Sequence, residues 1–438
     1  MILALLLAAA PVTQVTVTPA LEQRTLAIEL QVDRSWKGDC LCLDMDGAEV
    51  AVRGLRRHPR RPSCFLRPTK GPIRYQLDLA RLRSLRDDPD YAADLGRAWL
   101  FHDAATLLHP DGFETALRVR FVLGEGVSVA TPWPREKDGT FLVSESQLDA
   151  GAYVALGALR TLDDVKLDGF SARLTVVEGP KEASDEQLRE WIRVALASLG
   201  TFYGRSPSRG VAPIHVVLAG MKSAEPGVFG SVLRRAEPSV MLLFGDAATT
   251  GFERDWVATH ELFHLGNPPT QGRYPWFVEG FTTYYTELLR ARRGSLSTAK
   301  VWGTLASSVR EFCQPDGTSL RERSRNLATN HDWMRVYWAG ACLALRVDVA
   351  IRQKSGGQRS LDDVLRELRQ HEPLDEDELL AALDRAAGSD LASSHVDTTK
   401  PLPIEALLTS LGVGAVLDDE ATFRDDAPLA GLRKALTK

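Results

Sequence analysis

Five consecutive residues, His260-Glu261-Leu262-Phe263-His264, constrain this chain more than any others. Two histidines four positions apart on a helix lie on one face, one turn apart. That separation lets both imidazoles reach one ion at about 2.0–2.1 Å. Ala258, Leu262 and Leu265 point the opposite way and can anchor the helix in a core. The competing reading is a surface helix with two solvated histidines. The apolar run around them, ERDWVATHELFHLG, opposes it, because burying two histidines and a glutamate without a metal would leave polar groups unpaired.

A hydrolytic zinc site takes three protein ligands and keeps a fourth position open. The third ligand is expected on a second helix, after a turn. GNPPTQGRYP is rich in Gly and Pro and supplies that turn. WFVEGFTTYYTELLRAR then opens an amphipathic helix with Glu279 in its first turns. Glu287 competes, but it lies about two turns further on and pairs more naturally with Arg290, three residues away. Thr283, one turn after Glu279, is a candidate to orient a ligand histidine. In this arrangement Glu261 faces the water rather than the ion and acts as general base. The developing oxyanion needs one more donor, for which a Tyr phenol from a distant segment is suited.

The rest of the chain frames that motif. VTQVTVTPA, TLAIELQVD, YQLDLA and ALRVRFVLG alternate at period two and read as strands, followed by the connector FLVSESQLDAGAYVALGALRTL. FSARLTVVEG, PIHVVLAG and PSVMLLFG read as further strands, and SDEQLREWIRVALASLGTFYG as a helix capped by Ser184. From Phe252 onward the pattern is helical. The expected class is a multidomain α+β protein. Its expected parts are a signal segment 1–14, an N-terminal β-rich domain 15–165, a zinc-binding α+β catalytic domain 166–290, a helical part 291–415 that completes the site, and a tail 416–438.

Charge and composition narrow the partners. The 58 acidic and 53 basic residues leave a net charge of −5, which argues against nucleic acid. MILALLLAAAPVT resembles the apolar core of a secretory signal, although no Lys or Arg precedes Arg24, so export to the periplasm or medium is expected. It is too short to span a bilayer. In an exported chain Cys64 could bridge to Cys40 or to Cys42; buried thiols are the alternative.

The motif helix and its successor, Trp276-Phe-Val-Glu279-Gly280-Phe-Thr-Thr-Tyr-Tyr, resemble the gluzincin metallopeptidases, and within them the glycyl aminopeptidases. So do the segment from Tyr337 to Arg352 and the late stretch AAGSDLASSHVDTTKPLPIEALLTSLG. The resemblance runs loosely from Val15 to Val413 and is specific from Trp256 onward. It implies a thermolysin-like catalytic domain, zinc held by His260, His264 and Glu279, Glu261 as base, and Tyr337 as the oxyanion-stabilising phenol. It implies an aminopeptidase for small N-terminal residues; a zinc endopeptidase of the same fold and a non-catalytic zinc-stabilised binding protein are the alternatives. Two departures stand out. The chain ends shortly after Val413, where family members often carry a PDZ domain. Leu233 and Arg234 occupy places where relatives carry a Glu and a His near the substrate, with Glu225 and Glu237 flanking them.

Overall fold

The computed structural model describes residues 12–33, 35–68, 71–85, 91–111, 116–144, 152–167, 169–203, 213–233 and 238–438. Most of the leader-like run, Arg234, Glu237 and the middle of the connector lie outside the described residues. The chain is mixed α+β and multidomain, β-rich in its N-terminal part and helical in its C-terminal part. It divides into two compact units, one drawn from 1–166, 171–189 and 208–250, the other from 167–170, 190–207 and 251–438.

The first unit is built on sheets. One runs Phe141–Val143, Ala116–Phe121, Val12–Ala20, Thr25–Gln31, Ile73–Asp78, Val52–Arg53 from edge to edge. Its strands alternate as the sequence predicts: Val15, Val17, Leu26, Ile28 and Leu30 are buried, and the residues between them point outward. A second sheet runs Ser128–Ala130, Tyr153–Gly157, Ala98–His102, Ala92–Asp94. All residues of its two central strands are buried, so neither has a period-two pattern. The expected connector over 141–162 therefore contains strands. A third sheet holds Phe170–Val177, Ile214–Met221 and Ser239–Gly245 in parallel, with Phe229–Leu233 antiparallel at its edge. A small sheet of Cys64–Leu66, Cys40–Cys42 and His109–Pro110 carries the disulfide Cys42–Cys64 beside the buried Cys40 thiol. This pairing resolves the alternatives open in the sequence.

Helix α1 (Asp185–Tyr203) begins as expected at Ser184. The Gln187 backbone N–H donates to Ser184 Oγ at 3.2 Å, and the Ser184 N–H donates to Gln187 Oε1 at 2.8 Å.

The second unit is helical. Its leading elements are α2 (Val257–His264), α3 (Pro275–Arg292), α4 (Trp333–Lys354) and α5 (Leu361–Leu368). Pro275 opens α3 at a position where no N–H is required, and Arg290 and Arg292 close it against the carbonyl end of the dipole. Phe263, Trp276, Phe281, Tyr284, Tyr285, Trp302 and Leu343 fill one core. Within it α3 and α4 cross at Gly280 and Gly340. A Cβ on Gly280 would stand 2.5 Å from Gly340 Cα, and one on Gly340 would run into the Trp276 carbonyl. Polar groups lock the same helices. Tyr284 Oη donates to Asp348 Oδ2 at 3.0 Å, and Arg352 Nε and the Leu361 N–H each donate to Asp348 Oδ1 at 2.9 Å. Arg292 Nη1 and Tyr285 Oη bind Asp362 at 2.7 and 2.9 Å, tying α3 to α5. A second disulfide, Cys313–Cys342, joins the end of helix Thr298–Phe312 to α4.

The expected tail is structured. Val413–Leu417 and Glu420–Phe423 form a hairpin within the otherwise helical part, and Ala430–Leu436 is a helix with Leu436 buried. No helix among the described residues is long and apolar enough to cross a membrane.

Two measurements test this packing. Gly340→Ala forces apart two backbones in contact, and overpacking of this kind costs about 3 kcal/mol, read as a lower urea midpoint. His215 in the third sheet is buried with neither ring nitrogen partnered. Burial, with the charge of Arg173, pushes its pKa down from 6.5 to about 4. Between those values the unfolded chain binds the proton and the folded chain does not, so stability falls as pH drops through the window. The loss from this group is on the order of 3 kcal/mol, and His215→Leu should lose that much less stability than wild type between pH 7 and 4.

Candidate metal centre

Helix α2 is held at its start by Asp255, whose Oδ2 accepts from the Ala258 N–H at 3.1 Å and from Trp191 Nε1 at 2.8 Å. Leu262 and Phe263 are fully buried on its core side. His260 and His264 are buried on the other side, with rings 4.9 Å apart and nearly perpendicular. The turn after α2 is pinned by backbone bonds from Leu374 N to Pro269 O at 3.1 Å and from Gln271 N to Leu374 O at 2.9 Å. The chain then enters α3, which presents Glu279.

One carboxylate oxygen, Glu279 Oε2, stands 3.4 Å from His260 Nε2 and 3.2 Å from His264 Nε2. One donor atom from each of the three residues lies within 4.8 Å of the others. Charge-assisted hydrogen bonds are shorter, about 2.7–2.9 Å. Ligands about 2.0–2.1 Å from a shared tetrahedral centre stand about 3.3 Å apart. The separations thus match the edges of a metal tetrahedron better than they match direct ion pairs.

A second layer sets the imidazole tautomers. Thr286 Oγ1 donates to the Thr282 carbonyl at 2.7 Å, and Thr282 Oγ1 donates to the Val278 carbonyl at 2.6 Å. With their protons committed, both hydroxyl oxygens can only accept. Thr286 Oγ1 is 3.3 Å from His260 Nδ1, and Thr282 Oγ1 is 3.2 Å from His264 Nδ1. This network assigns the hydrogen to each Nδ1 and leaves each Nε2 available to an ion. Asn267 Nδ2 donates to Thr282 Oγ1 at 3.0 Å and to the Val278 carbonyl at 3.2 Å, closing the network.

The three groups are strongly coupled electrostatically. Burial acts against ionised Glu279, but the charge and hydrogen bonds of His264 and His260 outweigh it and hold the carboxyl well below its usual range. For His260 burial favours the neutral ring, and Glu279, Glu261 and Glu287 together reverse the sign and raise its pKa. Tyr337 lies on α4, its ring stacked on that of His260 at 6.4 Å. Burial, reinforced by the charges of Glu279 and Glu261, holds its phenol far above the usual range, so it remains an O–H donor.

The structure thus brings His260, His264, Glu279, Glu261 and Tyr337 together in one unit. Glu287 pairs with Arg290 at 2.8 Å, as expected. The hydroxyls within hydrogen-bond distance of the imidazoles are those of Thr282 and Thr286, not the expected Thr283. Sequence reasoning missed them, yet their four-residue spacing mirrors that of His264 and His260. Glu225 is exposed in the first unit.

The chain has relatives of known class. Residues 266–343, which include Glu279 and Tyr337, match the family model of the M61 glycyl aminopeptidases. An aminopeptidase N family protein from Idiomarina loihiensis superposes with a TM-score of 0.73 at 17% identity, over 95% of this chain and 82% of its own. An M1 zinc metallopeptidase from Deinococcus radiodurans gives 0.57 at 16% identity, over 90% and 95%. A mutant of the Deinococcus enzyme bound to a Tyr-Ser-Ala substrate gives 0.55 at 16% identity, over 90% and 94%. No curated protein matches. The chain is a metallopeptidase hydrolase that resembles the glycyl aminopeptidases over residues 266–343, and it shares the fold of these solved structures.

The threonine layer carries a direct prediction. Thr282→Val and Thr286→Val keep the side-chain shape and remove the acceptor. Each should weaken metal binding about 10–100-fold in a chelator competition titration, with the circular dichroism spectrum unchanged.

Proposed function

We propose that this glycyl aminopeptidase-like metallopeptidase is a zinc aminopeptidase for small N-terminal residues. The carrying observation is the convergence of the His260 and His264 Nε2 atoms on Glu279 Oε2, at 3.4 and 3.2 Å, close to the edge length of a metal tetrahedron. Two neutral imidazoles and one carboxylate are a donor set suited to zinc. These residues would hold the ion, and when bound it would supply Lewis acidity and lower the pKa of a water.

The remaining chemistry belongs to the chain. Glu261 takes a proton from the attacking water and delivers it to the leaving nitrogen as the C–N bond breaks. Its position beside His260 supports this, because its charge helps to raise the pKa of both His260 and Tyr337. Tyr337 donates its phenolic hydrogen to the oxygen that gains charge as the carbonyl is attacked. The pair of helices α2 and α3 supports a thermolysin-like catalytic domain over 166–290, completed by the helical part 291–415. The preference for small N-terminal residues rests on the glycyl aminopeptidase resemblance. Export is part of the same reading, supported by the leader-like first residues and by the two disulfides.

The test is hydrolysis of glycyl and alanyl anilides by the zinc-loaded wild type and by Glu261→Gln. The variant should keep its zinc and lose activity by about 10²–10⁴-fold. An unchanged rate would remove Glu261 from the mechanism. Equal cleavage of N-terminally blocked peptides would make the enzyme an endopeptidase.

A further inference from the structure

Between Glu49 and Asp78 the sequence holds eight lysines and arginines and no acidic residue, in a chain whose net charge is −5. Much of that charge sits on one hairpin of the first unit. The His58 N–H donates to the Cys64 carbonyl and the Leu66 N–H to the Arg56 carbonyl, each at 2.8 Å, which sets Arg57 antiparallel to Phe65. The turn between the arms, Pro59-Arg60-Arg61-Pro62, is exposed at all four residues. Two fastenings hold this backbone in place. The Cys42–Cys64 disulfide ties one arm to the neighbouring strand. Arg61 binds Asp111 through both of its terminal nitrogens, and its Nη1 donates to the buried Cys40 Sγ at 3.5 Å.

The cations divide into held and free. Arg53 pairs with Asp78, Arg74 with Glu29 and Arg61 with Asp111. Arg57 meets Glu49 at 3.9 Å. Arg56 and Arg60 are exposed and join no ion pair among the described residues. Arg67 lies over the Trp36 ring at 4.7 Å and also has no carboxylate partner among them. A run of charge is usually just a solvated face. This one has a single sign along its whole length, in a chain of the opposite net sign, and its backbone is already fixed, so binding has no loop to order. Apart from Lys70 its cations are arginines. A guanidinium is less strongly hydrated than an ammonium, and its planar fork matches the oxygens of a phosphate. A turn exposed at every residue offers a projecting surface, which suits a flat partner better than a small ligand in a pocket.

We infer that the hairpin 56–66 docks this chain on the phosphate-bearing face of an anionic phospholipid bilayer. The attachment is electrostatic and peripheral, and each free arginine contributes about fivefold to the partitioning. A chain of negative net charge is on average repelled by such a surface, so attraction has to come from a local field. Screening over about 8–10 Å at physiological salt confines what the bilayer feels to the side chains at its face. The inference stands apart from the metal centre and from the proposed activity, since none of its residues belongs to either.

Co-sedimentation of the full, disulfide-bonded chain with vesicles tests it. Vesicles of phosphatidylcholine mixed with phosphatidylglycerol should bind the chain about a hundredfold more tightly than phosphatidylcholine alone. Raising the salt from about 0.1 to about 0.5 M should remove most of that preference. Arg56→Gln combined with Arg60→Gln should weaken binding about 25-fold, and Arg→Lys at the same two positions should keep most of it. Equal binding to both vesicle types, a preference that survives the glutamine variant, or a loss as large in the lysine variant overturns the inference. Neither glycerol phosphate nor polyglutamate, added at the same charge concentration as the lipid, should displace the chain. Displacement by the first would make this a site for single anions, and by the second a site for acidic polypeptides; either result overturns the bilayer as the occupant.

Discussion

The geometry of the candidate centre depends on one backbone contact, the crossing of α3 and α4 at Gly280 and Gly340. Glu279 is the residue immediately before one glycine, and Tyr337 lies about one turn before the other. Removing both Cβ atoms lets the helices approach until main-chain atoms touch, which fixes the carboxylate and the phenol relative to each other. The buried carboxylates of Asp348 and Asp362 extend that lock along the helices, each saturated by Tyr and Arg donors. Paired in this way, buried charge is tolerated; with a partner removed it would strongly destabilise the unit.

The imidazoles are oriented by neutral groups. Many ligand histidines donate to a carboxylate, which raises their basicity. Here the acceptors are Thr282 and Thr286, each made an obligate acceptor by its own bond to the preceding turn of α3. Orientation is thereby supplied without a further negative charge on the ligands' outer side. The negative charge near the rings comes instead from Glu279, Glu261 and the buried Glu287, and it is sufficient to reverse the effect of burial on His260.

How much of this was legible in the sequence follows from where pattern is strong. The histidine pair and Glu279 were readable because helical spacing and a Gly- and Pro-rich turn leave few alternatives. The half-buried strands around Val15 and Ile28 announced themselves by alternation. Ala98–His102 and Tyr153–Gly157 did not, since burial on both faces removes the period. The choice of Thr282 and Thr286 over Thr283 depends on the rotation of α3 about its axis, which a single sequence does not specify. The disulfide partner of Cys64 depends on strand register, with Cys42 directly opposite it.

The central claim is that His260, His264 and Glu279 hold the metal. Three-residue clusters also occur at Cys40, Cys42 and Cys64 and at Cys313, Cys342 and His395; their bridged cysteines offer no thiolate while the disulfides stand, but a reduced chain would offer them, so occupancy alone does not decide between the sites. Zinc-edge X-ray absorption on the chain loaded with one equivalent of zinc does. The account predicts a first shell of nitrogen and oxygen only at about 2.0–2.1 Å, with the multiple-scattering signature of two imidazoles, and loss of tight binding in Glu279→Ala. A sulfur shell at about 2.3 Å, or a spectrum unchanged by Glu279→Ala, would contradict it.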